Sequence, residues 1–201
     1  MEGICLKIRM AAESDVPEIL EIYRPYIEHT SVTFEYDVPP LEAFLARFRE
    51  VTSRCPWLVG EEDGRLLGYA YLDRAFARAA YQWAADLSVY LRPEARRRGL
   101  GRRFYSLLER MAALQGYQLI YGLVTSENQD SRRFHEALGY VQTAWLPDCG
   151  FKLGRWHGVA WYEKRLCAPK APEGAPVPGP EMDWSCLRTE DLARGCEIVL
   201  Q

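Results

Sequence analysis

The sequence has few of the residues from which metal sites and disulfide frameworks are built. Only three of its 201 residues are histidine and six are cysteine, and no two cysteines have C-x-x-C spacing. Structural zinc sites need paired Cys or His ligands at short spacing, and a chain of this length can form a core without disulfides. We therefore expect scattered free thiols and no metal.

Long apolar runs and an excess of positive charge are also missing. No run approaches the ~20 apolar residues of a membrane-spanning helix, and the first residues lack the pattern of a signal peptide. The formal charge is −3 and the isoelectric point is near 5.7, which argues against bulk binding to nucleic acid or to anionic membranes. The composition predicts a cytoplasmic globular protein with no nucleic-acid or membrane partner.

Hydrophobic periodicity predicts alternating strands and helices. Strands are predicted at 4–10, 57–61, 65–72, 83–91, 118–125, 139–146 and 157–166. Helices are predicted after Ser14 and over 41–48, 99–115 and 129–138. The resulting order, β-α-α-β-β-β-α-β-α-β-β, predicts an α/β fold in which helices cover both faces of one sheet.

The composition changes after Leu166. Residues 168–180, APKAPEGAPVPGP, contain five of the twelve prolines and no aromatic residue. Such a segment buries too little surface to fold alone, so 167–180 is predicted to be an extended linker. The sequence thus predicts a domain over 1–166 and an appendage over 181–201, which is apolar enough to dock as a short helix or strand.

The stretch from Arg96 to Arg102, RRRGLGR, follows a predicted strand and begins a predicted helix. Gly99 and Gly101 allow backbone N–H groups to approach a ligand closely, and a helix N-terminus adds partial positive charge. This arrangement suits a pyrophosphate, and the alternative is a solvated basic turn. Because strand, glycines, arginines and amphipathic helix occur in order, we favour the phosphate site. The Lys-Ser/Thr of a nucleotide P-loop and the third glycine of a dinucleotide fold are absent.

The R-x-x-G-x-G pattern from Arg96 to Gly101 resembles the coenzyme A motif of the GNAT family of N-acetyltransferases. Asn128-x-x-Ser131, followed by Phe134-His135 and Leu138-Gly139-Tyr140, resembles the second cofactor element of that family. The phosphinothricin acetyltransferase branch is especially similar, in the stretches IYRPYIEHTSVTFEYDVPP, ARAAYQWAADLSVYLRPEARRRGLG, RFHEALGY and GFKLGRWHGVAWYEKRL. The resemblance runs from Ile8 to Leu166 and does not cover the tail.

This resemblance implies the GNAT fold, a mixed and mostly antiparallel sheet, with acetyl-CoA as cosubstrate. It places the pantetheine arm along the backbone of Leu87, Ser88 and Val89. Asn128 is expected to hydrogen-bond the same arm, with Tyr105, Ser131 and Arg133 close by. The pyrophosphate is expected on the turn and helix start formed by Arg96, Arg97, Arg98, Gly99, Leu100, Gly101 and Arg102.

Two residues are candidates for proton transfer. Asp86 stands where the phosphinothricin branch has the Glu taken as general base, with its carboxylate one methylene shorter. His135 stands where many GNAT relatives have the Tyr that protonates the departing thiolate. The alternatives are a carboxylate that caps a bulge or pairs with an arginine, and a structural histidine. The sequence does not decide which of the two carries the proton.

The loop before Tyr81 and the last strands are expected to recognise the acceptor. Arg78 and Tyr81 match branch positions that contact an amino-acid-like substrate, and a guanidinium can grip a carboxylate or phosphinate at two points. Phe76, however, replaces a basic residue of the herbicide-detoxifying members, which weakens the case for a doubly anionic substrate. Phe34, Thr125 and Val159 complete the predicted substrate site.

The sequence therefore indicates an acetyltransferase for a small amino-acid analogue, with phosphinothricin, methionine sulfoximine and methionine sulfone as candidates. The alternatives are a transferase for another amine, such as a polyamine, an aminoglycoside or a protein N-terminus, and a non-catalytic acetyl-CoA-binding module. The branch that this chain resembles usually pairs, so a homodimer is expected.

Overall fold

The computed structural model describes residues 6–187 and 196–200. The strands, in chain order, are Leu6–Met10 (β1), Trp57–Glu62 (β2), Arg65–Arg74 (β3), Ala84–Leu91 (β4), Leu119–Thr125 (β5), Val141–Lys152 (β6), Arg155–Arg165 (β7) and Cys196–Val199 (β8). The helices are Val16–His29 (α1), Leu41–Thr52 (α2), Leu100–Gln115 (α3) and Gln129–Ala137 (α4). The α/β class and the order of elements through β7 are confirmed.

The strands form one mixed sheet in the order β6-β7-β5-β4-β3-β2-β1-β8. Neighbouring strands are antiparallel except at two places, β4 with β5 and β1 with β8. Of the first predicted strand, positions 4 and 5 lie outside the described residues.

Helices cover both faces of the sheet, as its hydrophobic pattern requires. On one face, Trp57 of β2 packs against Phe44 and Phe48 of α2. On the other face, a Cβ built on Gly60 would meet Leu100 and Phe104 of α3. Positions 57 and 60 of one strand point in opposite directions, so α1 and α2 lie on one face and α3 and α4 on the other.

β6 is longer than the sequence pattern indicates. It was predicted to end at Leu146, but the strand continues to Lys152 and pairs with β7. Its register against β7 shifts between Leu146 and Gly150, so an irregularity interrupts the period-two alternation on which the prediction relied. Leu153 and Gly154, both with positive φ, then form the two-residue turn into β7.

The segment predicted as a linker lies along the domain and is hydrogen-bonded to it. The side-chain amide of Gln115, at the end of α3, donates to Arg54 O and to Val177 O, at 2.8 and 2.7 Å. The Trp83 indole donates to Gly174 O at 2.7 Å. β8 adds to the sheet beside β1. The appendage thus docks on the sheet edge, as a strand.

Within the described ranges, no helix has the length and apolar character needed to cross a bilayer.

Candidate active site

The central feature of the site is an opening between β4 and β5. The two strands pair only from Ala84 to Asp86, against Leu119 to Tyr121. Beyond that point β4 continues to Leu91 on β3, and β5 continues to Thr125 on β7. Two strands that stop pairing in mid-sheet expose main-chain hydrogen-bonding groups toward each other. An extended ligand can therefore lie between them.

Tyrosine hydroxyls reach β4 from both faces of the sheet along this opening. Tyr26 of α1 donates to Leu91 O at 2.6 Å. The Tyr105 hydroxyl oxygen, from α3, is 3.4 Å from Leu87 O. Val89 lies between these two carbonyls, in the middle of the diverging stretch. The main-chain groups of Leu87 and Val89 therefore lie on the side of the opening, and those of Ser88, between them, lie on the side of β3.

The basic turn after β4 has the backbone geometry of an anion site. Arg97 and Gly99 both have left-handed conformations, with φ of 59° and 83°, and successive N–H groups in such a turn can form a concave anion-binding array. α3 begins at Leu100 with no side-chain cap and no acidic residue in its first turn. Its first N–H groups and its positive dipole end are thus available to a phosphate.

The two glycines of this turn have different reasons to be glycine. Gly99 is needed for its positive φ, which a β-branched residue adopts only at high cost. A Cβ on Gly101 would instead meet Phe134 at 3.5 Å and Leu91 at 3.7 Å. Gly101 thus faces the contact between α3 and α4, and its role in letting the backbone approach a ligand stays a prediction.

The arginines of the turn divide into two pairs. Arg98 forms an ion pair with Glu62, with Nη1 3.1 Å from Oε2, and this partner lowers the pKa of the Glu62 carboxyl. Arg96 donates to the Tyr26 hydroxyl at 3.1 Å. All four side chains are exposed, but Arg97 and Arg102 make no side-chain hydrogen bond or ion pair within the described residues. The second pair is the better placed to meet further phosphate.

Asn128 begins α4 as its N-cap. Its side-chain oxygen accepts a hydrogen bond from Ser131 N at 3.1 Å, which fixes the side chain at the end of β5. Arg133, one turn further along the helix, is exposed. The cap gives Asn128 a structural role independent of any ligand, but the donor is the backbone of residue 131, so the cap does not require serine there.

Asp86 lies where β4 and β5 separate. Its Oδ1 is buried and has no hydrogen-bond partner among the described residues. Burial, and then the negative charge of Asp73, raise the pKa of the Asp86 carboxyl to about 7. A buried carboxylate without a partner is costly. Such an arrangement is typical of a group that exchanges protons near neutral pH.

His135 is on the opposite face of the sheet and is fully engaged by the protein. Its Nδ1 donates to Ser131 O at 2.8 Å, so its Nε2 is the acceptor, and the Tyr105 hydroxyl donates to it at 2.9 Å. The ring is 3% exposed and stacks on Tyr162 at a centroid distance of 5.3 Å. Burial lowers the pKa of His135. The ring is therefore a neutral imidazole held in an aromatic enclosure.

The face of the sheet that bears Asp86 also carries two of the predicted substrate residues. Alternate residues of a strand point to the same face, so Asp86 shares its face with its register partner Tyr121 and with Thr125. Thr125 lies opposite Val159. The Thr125 hydroxyl is buried without a partner in the described part of the chain.

The loop between β3 and β4 brings Phe76 over this face. Its ring stacks on Trp161 at 5.8 Å with an interplanar angle of 15°, and meets Tyr121 edge-on at 5.8 Å and Tyr81 at 4.7 Å. Arg78 of the same loop is exposed. Phe76 thus joins an aromatic cluster near Asp86, with Arg78 at the rim.

Phe34 belongs to the loop after α1, which packs on the β6–β7 hairpin. Its ring fills the space beside Gly150, where any side chain would overlap it, and lies 6.2 Å from the His157 ring. Lys152 donates to Thr33 O at 2.7 Å and holds the loop in place. Phe34 is therefore at the β7 end of the face that bears Asp86.

Sequence reasoning missed three residues of this region. Asp73 pairs with Asp86 across the β3–β4 ladder, and Tyr121 pairs with it across β5. Glu127 lies 3.0 Å from Nδ1 of the buried His157. Of these three, only Asp73 could have been found from the sequence, because it is a charged residue near the end of an apolar strand. In the part of the chain that the structure describes, no group of three or more His, Cys, Asp or Glu could hold a metal ion.

These features agree with a family match. The acetyltransferase (GNAT) domain profile matches residues 8–161, and the chain belongs to the GNAT family of acetyltransferases.

Relatives with named activities narrow the comparison. The chain is 32% identical over 167 residues to the phosphinothricin N-acetyltransferase of Streptomyces viridochromogenes, which covers 83% of this chain and 91% of the relative. It is 31% identical over 170 residues to the L-methionine sulfoximine/L-methionine sulfone acetyltransferase of Salmonella typhimurium. This match covers 84% of this chain and 99% of the relative. A crystal structure of a GNAT phosphinothricin acetyltransferase from Sinorhizobium meliloti, in complex with acetyl-CoA, superimposes on this chain with a TM-score of 0.81 and is 30% identical to it. The match covers 86% of this chain and 96% of that one.

Proposed function

We propose that this protein transfers the acetyl group of acetyl-CoA to the amine of a small amino-acid-like substrate, of the phosphinothricin, methionine sulfoximine or methionine sulfone type. The observation that carries the proposal is the opening between β4 and β5, with an unpartnered buried carboxylate at its closed end and an anion-binding turn at its open end. The named relatives support the substrate type.

The residues present fit acetyl-CoA as the acetyl donor. The backbone of Leu87 to Val89 would pair with the pantetheine arm, and the turn from Arg96 to Arg102 would hold the pyrophosphate. Asn128, Ser131 and Arg133 lie at the β5 side of the same opening. When bound, acetyl-CoA supplies an activated thioester carbonyl.

Asp86 acts as the general base in this proposal. An acceptor ammonium must lose a proton before its nitrogen can attack a carbonyl carbon. A carboxyl with a pKa of about 7 is partly ionised at neutral pH and can still hold the proton it receives. Because Asp is one methylene shorter than Glu, a water molecule between the carboxylate and the amine completes the path.

His135 has an indirect role. Both of its ring nitrogens are occupied, so any proton that moves between His135 and the opening passes through the Tyr105 hydroxyl. His135 holds that hydroxyl beside Leu87 of β4, and the Tyr105 O–H can donate toward a departing thiolate only by turning away from His135 Nε2.

The acceptor pocket favours a single anionic group on the substrate. Arg78 can bind one carboxylate, whereas Phe76 offers an apolar ring where a second anion would need a cation. A cationic amine such as a polyamine is the second candidate, because Asp73 and Asp86 place two carboxylates on this face.

The deciding experiment is a thiol-release assay with acetyl-CoA and a panel of amines. The panel contains phosphinothricin, methionine sulfoximine, methionine sulfone, ordinary L-amino acids, polyamines and aminoglycosides. We expect turnover with the amino-acid analogues. If thiol release with every amine stays at the level measured without an acceptor, the transferase proposal is refuted and the protein is a binding module.

Placement of the cosubstrate is tested separately by calorimetry on Gly99→Val. A β-branched residue strains the left-handed turn, so acetyl-CoA binding is expected to weaken severely. Gly64→Val is a matched control, since Gly64 also has positive φ, at 76°, but lies in the β2–β3 turn. Equal affinity for acetyl-CoA in folded Gly99→Val and the unmutated protein would rule out this placement.

We also propose a homodimer. The edge strand β6 exposes large apolar side chains, among them Val141, Trp145, Leu146 and Phe151, and burial of such a face drives pairing. Light scattering at tens of micromolar is expected to give twice the monomer mass. A monomer mass there would refute pairing.

A further inference from the structure

Two carboxylates face each other beside the opening. Asp73 at the end of β3 and Asp86 in β4 are register partners in an antiparallel ladder, which places their side chains on the same face of the sheet. Like charges directly opposite each other are unfavourable in a sheet. A pair in this position calls for an explanation beyond folding.

The Asp73 side chain is held in place by its own backbone neighbour. Its Oδ1 accepts a hydrogen bond from Arg74 N at 2.7 Å, and the same oxygen is 3.9 Å from Arg54 Nη2. Its side chain is 39% exposed, whereas Oδ1 of Asp86 is buried.

Few other charged groups face Asp86. On β5 its neighbour is Tyr121, a neutral phenol whose pKa is raised by burial and by Glu163 of β7. Arg54 approaches Asp73 and not Asp86. Among the described residues, Asp73 is therefore the principal charge acting on the Asp86 carboxylate.

The short side chain of Asp86 makes the pairing effective. A Glu at this position, as the resembled branch has, would extend the carboxylate one methylene away from the ladder. Asp keeps the carboxylate near the strand, and so near its ladder partner Asp73, and the interaction between charges grows as their separation falls.

We propose that Asp73 is a positioning residue that acts through Asp86 and adds to the effect of burial in setting the pH range in which Asp86 accepts a proton. The inference rests on the proposed function for its catalytic meaning, but not for its electrostatics. Asp73 itself need not touch either substrate.

The test is a carbon-13 NMR titration of the Asp86 carboxyl in the full chain, with the signal assigned by its loss in Asp86→Asn. Asp73→Asn retains an acceptor for Arg74 N and removes the charge. We expect its Asp86 midpoint to fall by about one pH unit. Asp73→Glu keeps the charge and should keep the midpoint high. Asp63→Asn, which removes one charge from the β2–β3 turn, is the matched control and should leave the midpoint unchanged.

The rate profile supplies a second readout. The acidic limb of kcat/KM should move to lower pH in Asp73→Asn by the same amount as the NMR midpoint. An unchanged Asp86 midpoint in a folded Asp73→Asn protein would overturn the inference and leave Asp73 a structural residue. If no amine is acetylated, the proposed function fails, while the titration still reports on the pair.

Discussion

The two faces of the sheet at the β4–β5 opening are built in opposite ways. On the face of α3 and α4, His135 has a partner for each ring nitrogen and is enclosed by aromatic rings. On the other face, Asp86 has a buried oxygen with no partner among the described residues and a like charge across the ladder. The first arrangement stabilises the fold. The second costs stability and holds a carboxyl ready to exchange a proton.

The contrast separates two candidates that the sequence left equal. A group whose hydrogen bonds are all internal can move a proton only by breaking them, whereas an unpartnered carboxylate needs no such rearrangement. The geometry therefore supports Asp86 as the group that takes the proton of the amine, and His135 as the residue that holds the Tyr105 hydroxyl in place.

The largest expected effect is that of Asp86→Asn on rate. Loss of general-base help is expected to lower kcat/KM by about 100-fold or more at neutral pH. Asp86→Glu, which restores the carboxylate with a longer reach, should keep activity or raise it. Steady-state kinetics on both variants measures the difference, and an impaired Glu variant beside an active Asn variant would reverse the assignment.

A double-mutant cycle tests whether the two faces act as one unit. His135→Ala is expected to lower kcat/KM less than Asp86→Asn does, because it acts through Tyr105. The double variant should lose less than the product of the two single losses, since groups that serve one proton path are non-additive. Fully multiplicative losses would mean that His135 and Asp86 contribute independently.

The two residues should affect stability in opposite directions. His135→Ala opens a cavity and leaves the Tyr105 hydroxyl without its acceptor, so we expect the free energy of unfolding to fall by about 3 kcal/mol and the Tm to fall by roughly 6–12 °C. Asp86→Asn should instead raise the Tm at pH 8.

The sign of the Asp86 effect follows from its raised pKa. The unfolded carboxyl ionises near 3.8, while the folded one holds its proton up to about 7. The free energy of unfolding of the unmutated protein therefore falls as pH rises through this window. Asn does not ionise, so the variant does not lose stability in this way. The difference in Tm between Asp86→Asn and the unmutated protein should therefore shrink as the pH falls toward 4. Thermal melts across pH check this, and a constant difference between the two proteins would contradict it.

The smallest effect on chemistry is expected from removing the tail. Truncation after Leu166 removes no predicted ligand, so kcat/KM should stay within about twofold of the full chain. It does remove β8 and the hydrogen bonds from Gln115 to the tail, so the melting temperature should fall. Loss of turnover in a folded truncation would show that the tail completes the site.

The sequence was sufficient for the parts of the molecule that depend on local pattern. The strand-to-helix placement of Gly99 and the succession of elements follow from periodicity and turn residues. The pairing of Asp73 with Asp86 could not be predicted, because the register of β3 against β4 depends on the loop between them. The enclosure of His135 depends on Tyr105 and Tyr162, which are distant in the chain and meet it only in the folded state.

The most direct test of the central claim is the pH dependence of kcat/KM for the unmutated protein and for Asp86→Asn. If Asp86 is the base, activity requires its ionised form. The unmutated protein should then show an acidic limb in kcat/KM with a midpoint near pH 7, in keeping with the pKa of about 7. The variant should have a far lower kcat/KM, and its pH profile should lack that limb. An Asp86→Asn protein with near-normal kcat/KM across the range, and the same limb, would show that another group takes the proton.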